Sequence, residues 1–144
     1  MPTPPAARAR ARDFHAHLGI PKAVLAERLA LLVDEGVLTR VTAASGRDEY
    51  ELTGKGRRLW PALWSLITWG NDNYVERQCR RTYQHVGCGG VIGSDQVCST
   101  CTHVPDVADL VALPPRPSRD RGFGDDPVST ALRRPHRMLE PIKV

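Results

Sequence analysis

IPKAVLAERLALLVDEGVLTR, residues 20–40, followed after a short gap by GRDEYELTGKGRRL, residues 46–59, carries the pattern that decides the fold. Pro21 suits the first position of a helix, where its missing N–H would have no partner anyway and its φ is already set. Apolar side chains at Val24, Leu25, Leu29, Leu32 and Val33 recur at the three-and-four spacing of a stripe packed on a core, while Lys22, Ala26, Glu27 and Ala30 look outward. Gly36 is a favoured residue just past a helix end. Beyond it, Val37-Leu38-Thr39-Arg40-Val41 has the composition of a short strand, and Asp48-Glu49-Tyr50-Glu51-Leu52 alternates polar and apolar like its antiparallel partner. Ala43-Ala44-Ser45-Gly46-Arg47 is the turn between them, with a cation at its tip.

Helix, strand, turn, strand, helix is the order of a winged helix-turn-helix, an α+β unit. Small outward residues let such a helix approach major-groove base edges, and a ribbon ending in Arg47 lays a guanidinium beside a phosphate or into the minor groove. The candidate DNA contacts are therefore Lys22, Ala23, Ala26, Glu27 and Arg28 on the helix, with Arg40 and Arg47 on the ribbon. The plain alternative is an amphipathic helix that happens to precede a hairpin.

The first stretch, together with RDEYELTGKGRRLWPALWSLITWG at residues 47–70, resembles the HxlR-type winged-helix transcriptional regulators. Their pattern runs as a "VL..RL..L...G.L.R" helix, an "R.EY.LT..G" wing and an "L.P.L..L..WG" helix. The resemblance implies that Pro21 to Glu35 is the recognition helix and that Arg47 belongs to the wing. It also implies that Leu59 to Trp69, with Pro61 and Gly70, begins the helix through which such proteins dimerise. Independently, Thr53 can cap that helix, and its leucines, Ile67, Trp60, Trp64 and Trp69 form a broad apolar surface suited to a subunit interface or to an intrachain core. The interface is the expected use, with Trp60, Leu63, Trp64 and Ile67 meeting the partner.

One part of the family pattern has no counterpart. The opening MPTPPAARARARDFHAHLGI lacks the further N-terminal helix of the family, so either the true start lies upstream of Met1 or the chain is a shortened member. Arg8 to Leu18 is expected to supply the helix before the turn, with Phe14 and Leu18 touching the core. Arg8, Arg10 and Arg12 read as a frayed terminus in preference to a phosphate-binding arm. His15 and His17 read as surface residues.

The cysteines form the second signal. His85-Val-Gly-Cys88-Gly-Gly and Cys98-Ser-Thr-Cys101-Thr give H-x-x-C followed by C-x-x-C. Ligands paired in this way on tight turns suit a tetrahedral zinc ion, and glycine after the first pair permits the backbone geometry. The expected ligands are Cys88, Cys98 and Cys101 with His85, in a small zinc-ribbon-like tail. Such a set is closed, and so structural rather than catalytic. His103 is an alternative to His85, and Cys79 is an alternative to either. Reduced thiols, a disulfide, or a redox pair involving Cys79 beside Arg77, Arg80 and Arg81 are the competing readings.

Composition bounds the remainder. The chain has 144 residues, a hydrophobic fraction of 41% and a formal charge of +4, which fits a nucleic-acid partner without demanding one. Residues 1–56 hold eight basic and seven acidic side chains, so phosphate contacts there depend on local placement. No apolar run spans a bilayer, no repeat is visible, and there is no P-loop, dinucleotide fingerprint or serine elbow. These absences point away from an enzyme and toward a cytoplasmic protein.

The expected organisation is a flexible basic segment at 1–12, a winged helix with its dimerisation helix at 13–78, a metal module at 79–113 and a disordered tail at 114–144. Within the module, Asp106 to Leu113 is expected to close it as a short helix or strand. Within the tail, Val128 to Leu132 is expected to form at most a turn of helix. The functional expectation is a homodimeric regulator on a pseudo-palindromic site. The alternative is an interaction module that heterodimerises without binding DNA itself.

Overall fold

In the computed structural model, which describes residues 8–116 and 124–142, the helical path expected to run on from Thr53 is broken. It forms α3 (Gly54–Arg57) and α4 (Trp60–Tyr74). Pro61 explains the break: it has no N–H to donate to the carbonyl of Arg57, four residues back. Thr53 caps α3 and not the longer helix, accepting from the Gly56 N–H at 3.0 Å. The chain divides at this point into two compact units.

The first unit comprises Met1–Arg58, Gly124–Ala131 and Leu139–Val144. Its elements are β1 (Arg8–Ala9), α1 (Ala11–Leu18), α2 (Lys22–Asp34), β2 (Leu38–Thr42), β3 (Asp48–Leu52), α3 and α5 (Pro127–Ala131). The strands form an antiparallel sheet in the order β1-β3-β2, with Arg8 opposite Glu51 and Arg40 opposite Tyr50. The expectation of a flexible segment through residue 12 is corrected for its described part. Arg8 and Ala9 occupy the outer edge of β3, and Arg8 and Arg10 each hold a carboxylate of that strand, Glu51 and Glu49, at 3.3 Å. Those arginines are tied to carboxylates on the sheet.

Both helices end in left-handed glycines, Gly19 at φ +65° and Gly36 at φ +69°. After α2, Val37 N–H reaches Leu32 O and Gly36 N–H reaches Val33 O, both at 2.9 Å, the paired bonds that close a helix on a glycine. The core is Leu25, Leu29 and Leu38, with Phe14, Ile20, Val33, Tyr50 and Leu52 packed on it. Phe14 meets Tyr50 edge-on at 6.4 Å. The expected stripe is narrower than its sequence pattern: Val24 and Leu32 are 39% and 38% exposed, and Leu18 is exposed as well. On a 3.6-residue period Leu25, Leu29 and Val33 share one face, which α1 and the sheet cover, whereas Val24 and Leu32 lie on its flank.

Gly56 is fixed by space. A Cβ there would overlap the carbonyl oxygen of Val37 and press on Leu52. Gly56→Ala is therefore expected to destabilise the first unit by about 1–3 kcal/mol, read as a lower urea midpoint in far-ultraviolet circular dichroism.

The tail, expected to be disordered, contributes to both units. In the first, Asp126 caps α5 by accepting from the Val128 and Ser129 N–H groups at 3.0 Å, and it meets His17 Nδ1 at 3.3 Å. Hydrogen bonds from the Ser129 hydroxyl and N–H, then His17, hold its carboxyl down at about 2. That contribution is present above the ordinary carboxylate value and is lost as pH falls through about 2. Residues 1–7 of the basic segment, and 117–123 and 143–144 of the tail, lie outside the described residues.

The second unit comprises Leu59–Phe123 and Leu132–Met138. Here α4 accompanies a three-stranded antiparallel sheet in the order β4-β5-β6, built from Thr82–His85, Leu110–Leu113 and His136–Arg137. The segment 106–113 gives a 3-10 turn, Val107–Asp109, and then β5. Tail residues Arg137 and His136 pair with Val111 and Ala112, because β5 would otherwise present a bare edge. The core is Trp64, Ile92, Cys98 and Leu110, joined by Trp60, Tyr83, Cys101 and Met138.

This packing corrects the assignment of the tryptophan face. Trp64 is 5% exposed, and its indole N–H is shared between the Gly93 and Ser94 carbonyls at 3.2 Å. Its ring lies 5.7 Å from Trp60 and 5.1 Å from Tyr83. Trp60 and Trp64 thus pack in their own chain's core, and Ile67 is half-buried, while Leu63 is exposed. The apolar surface left exposed is Leu59, at the cap of α4, with Leu63, Leu66, Trp69 and Tyr74 along it.

Candidate metal centre and nucleic-acid interface

The two ligand pairs sit on turns with one repeated hydrogen-bond pattern. In the first, His85 N–H reaches Gly90 O at 2.9 Å and Gly89 N–H reaches His85 O at 2.8 Å. In the second, Cys98 N–H reaches His103 O at 2.9 Å and Thr102 N–H reaches Cys98 O at 3.0 Å. The residue after each second ligand is left-handed, Gly89 at φ +71° and Thr102 at φ +61°. Each turn consequently aims two side chains, three residues apart, at a shared point.

The donor atoms of His85, Cys88, Cys98 and Cys101 lie within 4.8 Å of one another. His85 Nδ1 is 3.3 Å from the sulfurs of both Cys88 and Cys101, and Cys88 Sγ is 3.4 Å from Cys98 Sγ. Tetrahedral coordination with metal–sulfur bonds of about 2.3 Å has edges near ~3.8 Å, so the quartet closes around an ion with small movements. Three sulfurs and one imidazole suit a borderline-soft ion and not magnesium or calcium, which take oxygen ligands. N–H groups of Cys101 and then Thr100 draw the Cys98 thiol down to about 6, favouring the thiolate that a metal requires. At Cys88 the Gly90 N–H pulls the same way, but the adjacent Cys98 and Cys101 groups and burial leave that thiol raised.

Of the alternatives left open by spacing, His85 belongs to the quartet, whereas His103 and Cys79 lie outside it. Of the two glycines after Cys88, Gly90 is required by space. A Cβ there would strike Cys98 Sγ and the Thr100 side chain. Gly90→Ala is expected to lower metal affinity by at least ~10-fold, measured by competition with a chromophoric chelator.

On the first unit, Lys22, Ala23, Ala26, Glu27 and Arg28 of α2 are all exposed, as are Arg40 on β2 and Arg47 in the β2–β3 turn. Ala23, Ala26, Glu27 and Ala30 share one face of α2 by helical spacing, whereas Arg28 emerges on the flank with Val24 and Leu31. Arg40 lies 3.8 Å from Asp48 and stacks over Tyr50 at 5.8 Å, which holds it along the ribbon. Lys55, unremarked in the sequence, reaches the Glu35 carbonyl and so ties α3 to the end of α2.

Residues 6–78 match the profile of the HxlR-like helix-turn-helix family. The chain belongs to that family. Its HxlR-like portion takes in β1, α1, α2, the ribbon, α3 and α4, and stops before His85, so the quartet lies beyond the matched residues. Among similar proteins are uncharacterized HTH-type transcriptional regulators of Mycobacterium bovis and Mycobacterium tuberculosis, each 37% identical over 89 residues, covering 59% of this chain and 56% of the relative. The chain spans little more than half the length of these curated relatives. A crystal structure of a candidate transcription factor is 43% identical over 47% of this chain and 49% of that one, with a TM-score of 0.45. No helix among the described residues is long and apolar enough to cross a membrane.

Proposed function

We propose that this chain is a DNA-binding regulator of transcription, not an enzyme, that works in the cytoplasm. The reading is carried by one observation within the family-matched residues: α2 presents a face of small side chains, Ala23, Ala26 and Ala30, to solvent, on the same unit as an exposed ribbon tip bearing Arg47. Small side chains let α2 come close to base edges in the major groove, with Lys22 and Glu27 at its polar rim and Arg47 on the neighbouring backbone or minor groove. Two copies joined through Leu63 and Leu66 of α4, with Leu59 at its cap, would read a pseudo-palindromic site by their shared two-fold. The quartet holds zinc in a zinc-ribbon-like module, where it shapes the second unit and does no chemistry.

Fluorescence anisotropy with duplexes from around the chain's own coding start, against an unrelated competitor and across a salt series, tests this reading. Specific, salt-sensitive binding is expected. Arg47→Ala is expected to cost about 1 kcal/mol or more and to reduce the salt slope by about one. Unchanged affinity in that variant would remove Arg47 from the interface. Metal analysis of the purified chain is expected to find zinc.

A second reading rests on the flank of the first unit. Val24, Leu31 and Leu32 of α2 are all exposed there, which suits an interaction module whose winged helix pairs with a different partner and does not bind DNA alone. Absence of any salt-sensitive binding by the purified chain would favour it.

A further inference from the structure

The cysteines of the quartet differ in exposure. Cys88 is exposed, whereas Cys98 has no exposed surface and packs in the same core as Trp64. Their sulfurs are 3.4 Å apart. The segment between the two ligand turns also supplies Gly93 and Ser94, whose carbonyls hold the Trp64 indole. The ligands and the seat of α4 are therefore one piece of structure: whatever displaces Cys98 disturbs Trp64.

We infer that Cys88 and Cys98 are a peroxide-sensitive pair, whose oxidation to a disulfide releases the metal and unseats α4. The inference rests on the reading of the quartet as a zinc site. An oxidant reaches Cys88 from solvent, and its thiolate attacks one peroxide oxygen, breaking the O–O bond to give a sulfenic acid and hydroxide. The Cys98 thiolate then attacks the Cys88 sulfur, forming the S–S bond and expelling a second hydroxide. Two protons convert the hydroxides to water, so hydrogen peroxide takes two electrons and the pair gives two. His85 and Cys101 are the ligands that remain, half of a closed tetrahedral set, and the ion departs. Cys79, the cysteine outside the quartet, has no part in the step. The exposed stripe on α4 then lies on a helix whose buried face has lost its support, which places subunit association under the control of oxidants.

The test is titration of the zinc-loaded full chain with hydrogen peroxide, following zinc release with a chelating dye, disulfides by peptide mapping, and tryptophan emission. Loss of about one zinc per chain, with a Cys88–Cys98 disulfide and a red shift in emission, is expected. Cys79→Ser is expected to behave identically, and Trp69→Phe, which removes an exposed indole outside the core around Cys98, is expected to leave both zinc release and the emission shift in place. Zinc retained under peroxide, or a disulfide formed through Cys79, overturns the inference while leaving the metal site standing. A purified chain that neither contains nor takes up zinc overturns the metal reading itself, and the inference with it.

Discussion

Cys98→Ser is expected to strip zinc from the chain and loosen the second unit while leaving the first unit folded. Cys98 is both a member of the quartet whose thiol is drawn down to about 6 and a fully buried member of the core that contains Trp64, Ile92 and Leu110. Serine gives up the soft sulfur and leaves a hydroxyl among apolar neighbours. Structural zinc contributes about 10–16 kcal/mol of apparent binding free energy in small domains, and a site reduced to three ligands forfeits a large part of it. The loss is expected to exceed the ~10- to 100-fold that follows removal of an outer partner of a ligand. Zinc content, tryptophan emission and far-ultraviolet circular dichroism read the effect together: zinc lost, emission shifted, and the helical signal of α1 and α2 retained. A variant that keeps its zinc would sink the assignment of Cys98. One that loses all helical signal would show that the first unit depends on the second.

The parts of the molecule that were legible in the sequence are those whose determinants are local. Pro21, Gly36 and the Leu25–Leu29–Val33 spacing set α2 within a residue of its expected ends, and Gly46 with Arg47 marked the ribbon turn. The clustering of His85, Cys88, Cys98 and Cys101 was legible because each turn brings two side chains three residues apart to one point. What stayed hidden depends on partners far along the chain. Arg8 and Ala9 carry no periodicity of their own; the free edge of β3 and the carboxylates of Glu49 and Glu51 make a strand of them. His136 and Arg137 became β6 for the same reason, beside β5. Apolar spacing showed that Trp60 and Trp64 must be covered, but it carries no information about what covers them, and the ligand turns of the same chain do so.

Leu29→Ala is the substitution expected to cost the first unit most. Leu29 is 3% exposed, and only Leu25 and Leu38 share its degree of burial in that cluster among the described residues. Truncating a buried leucine costs about 2–5 kcal/mol through lost transfer energy and the cavity left behind. A small unit has little stability beyond that to lose, so the variant is expected to populate the unfolded first unit and to lose DNA affinity in proportion. Leu32→Ala, on the flank of the same helix, is expected to cost less than about 1 kcal/mol, because Leu32 is 38% exposed. The two melts can be assigned to the first unit cleanly: all three tryptophans lie on α4, so tryptophan emission reports the second unit and circular dichroism reports both. If Leu32→Ala instead destabilises the chain as much as Leu29→Ala, the flank formed by Val24 and Leu32 is covered in solution. The first unit would then be completed by a surface from another molecule, and the DNA-binding reading would have to include that partner.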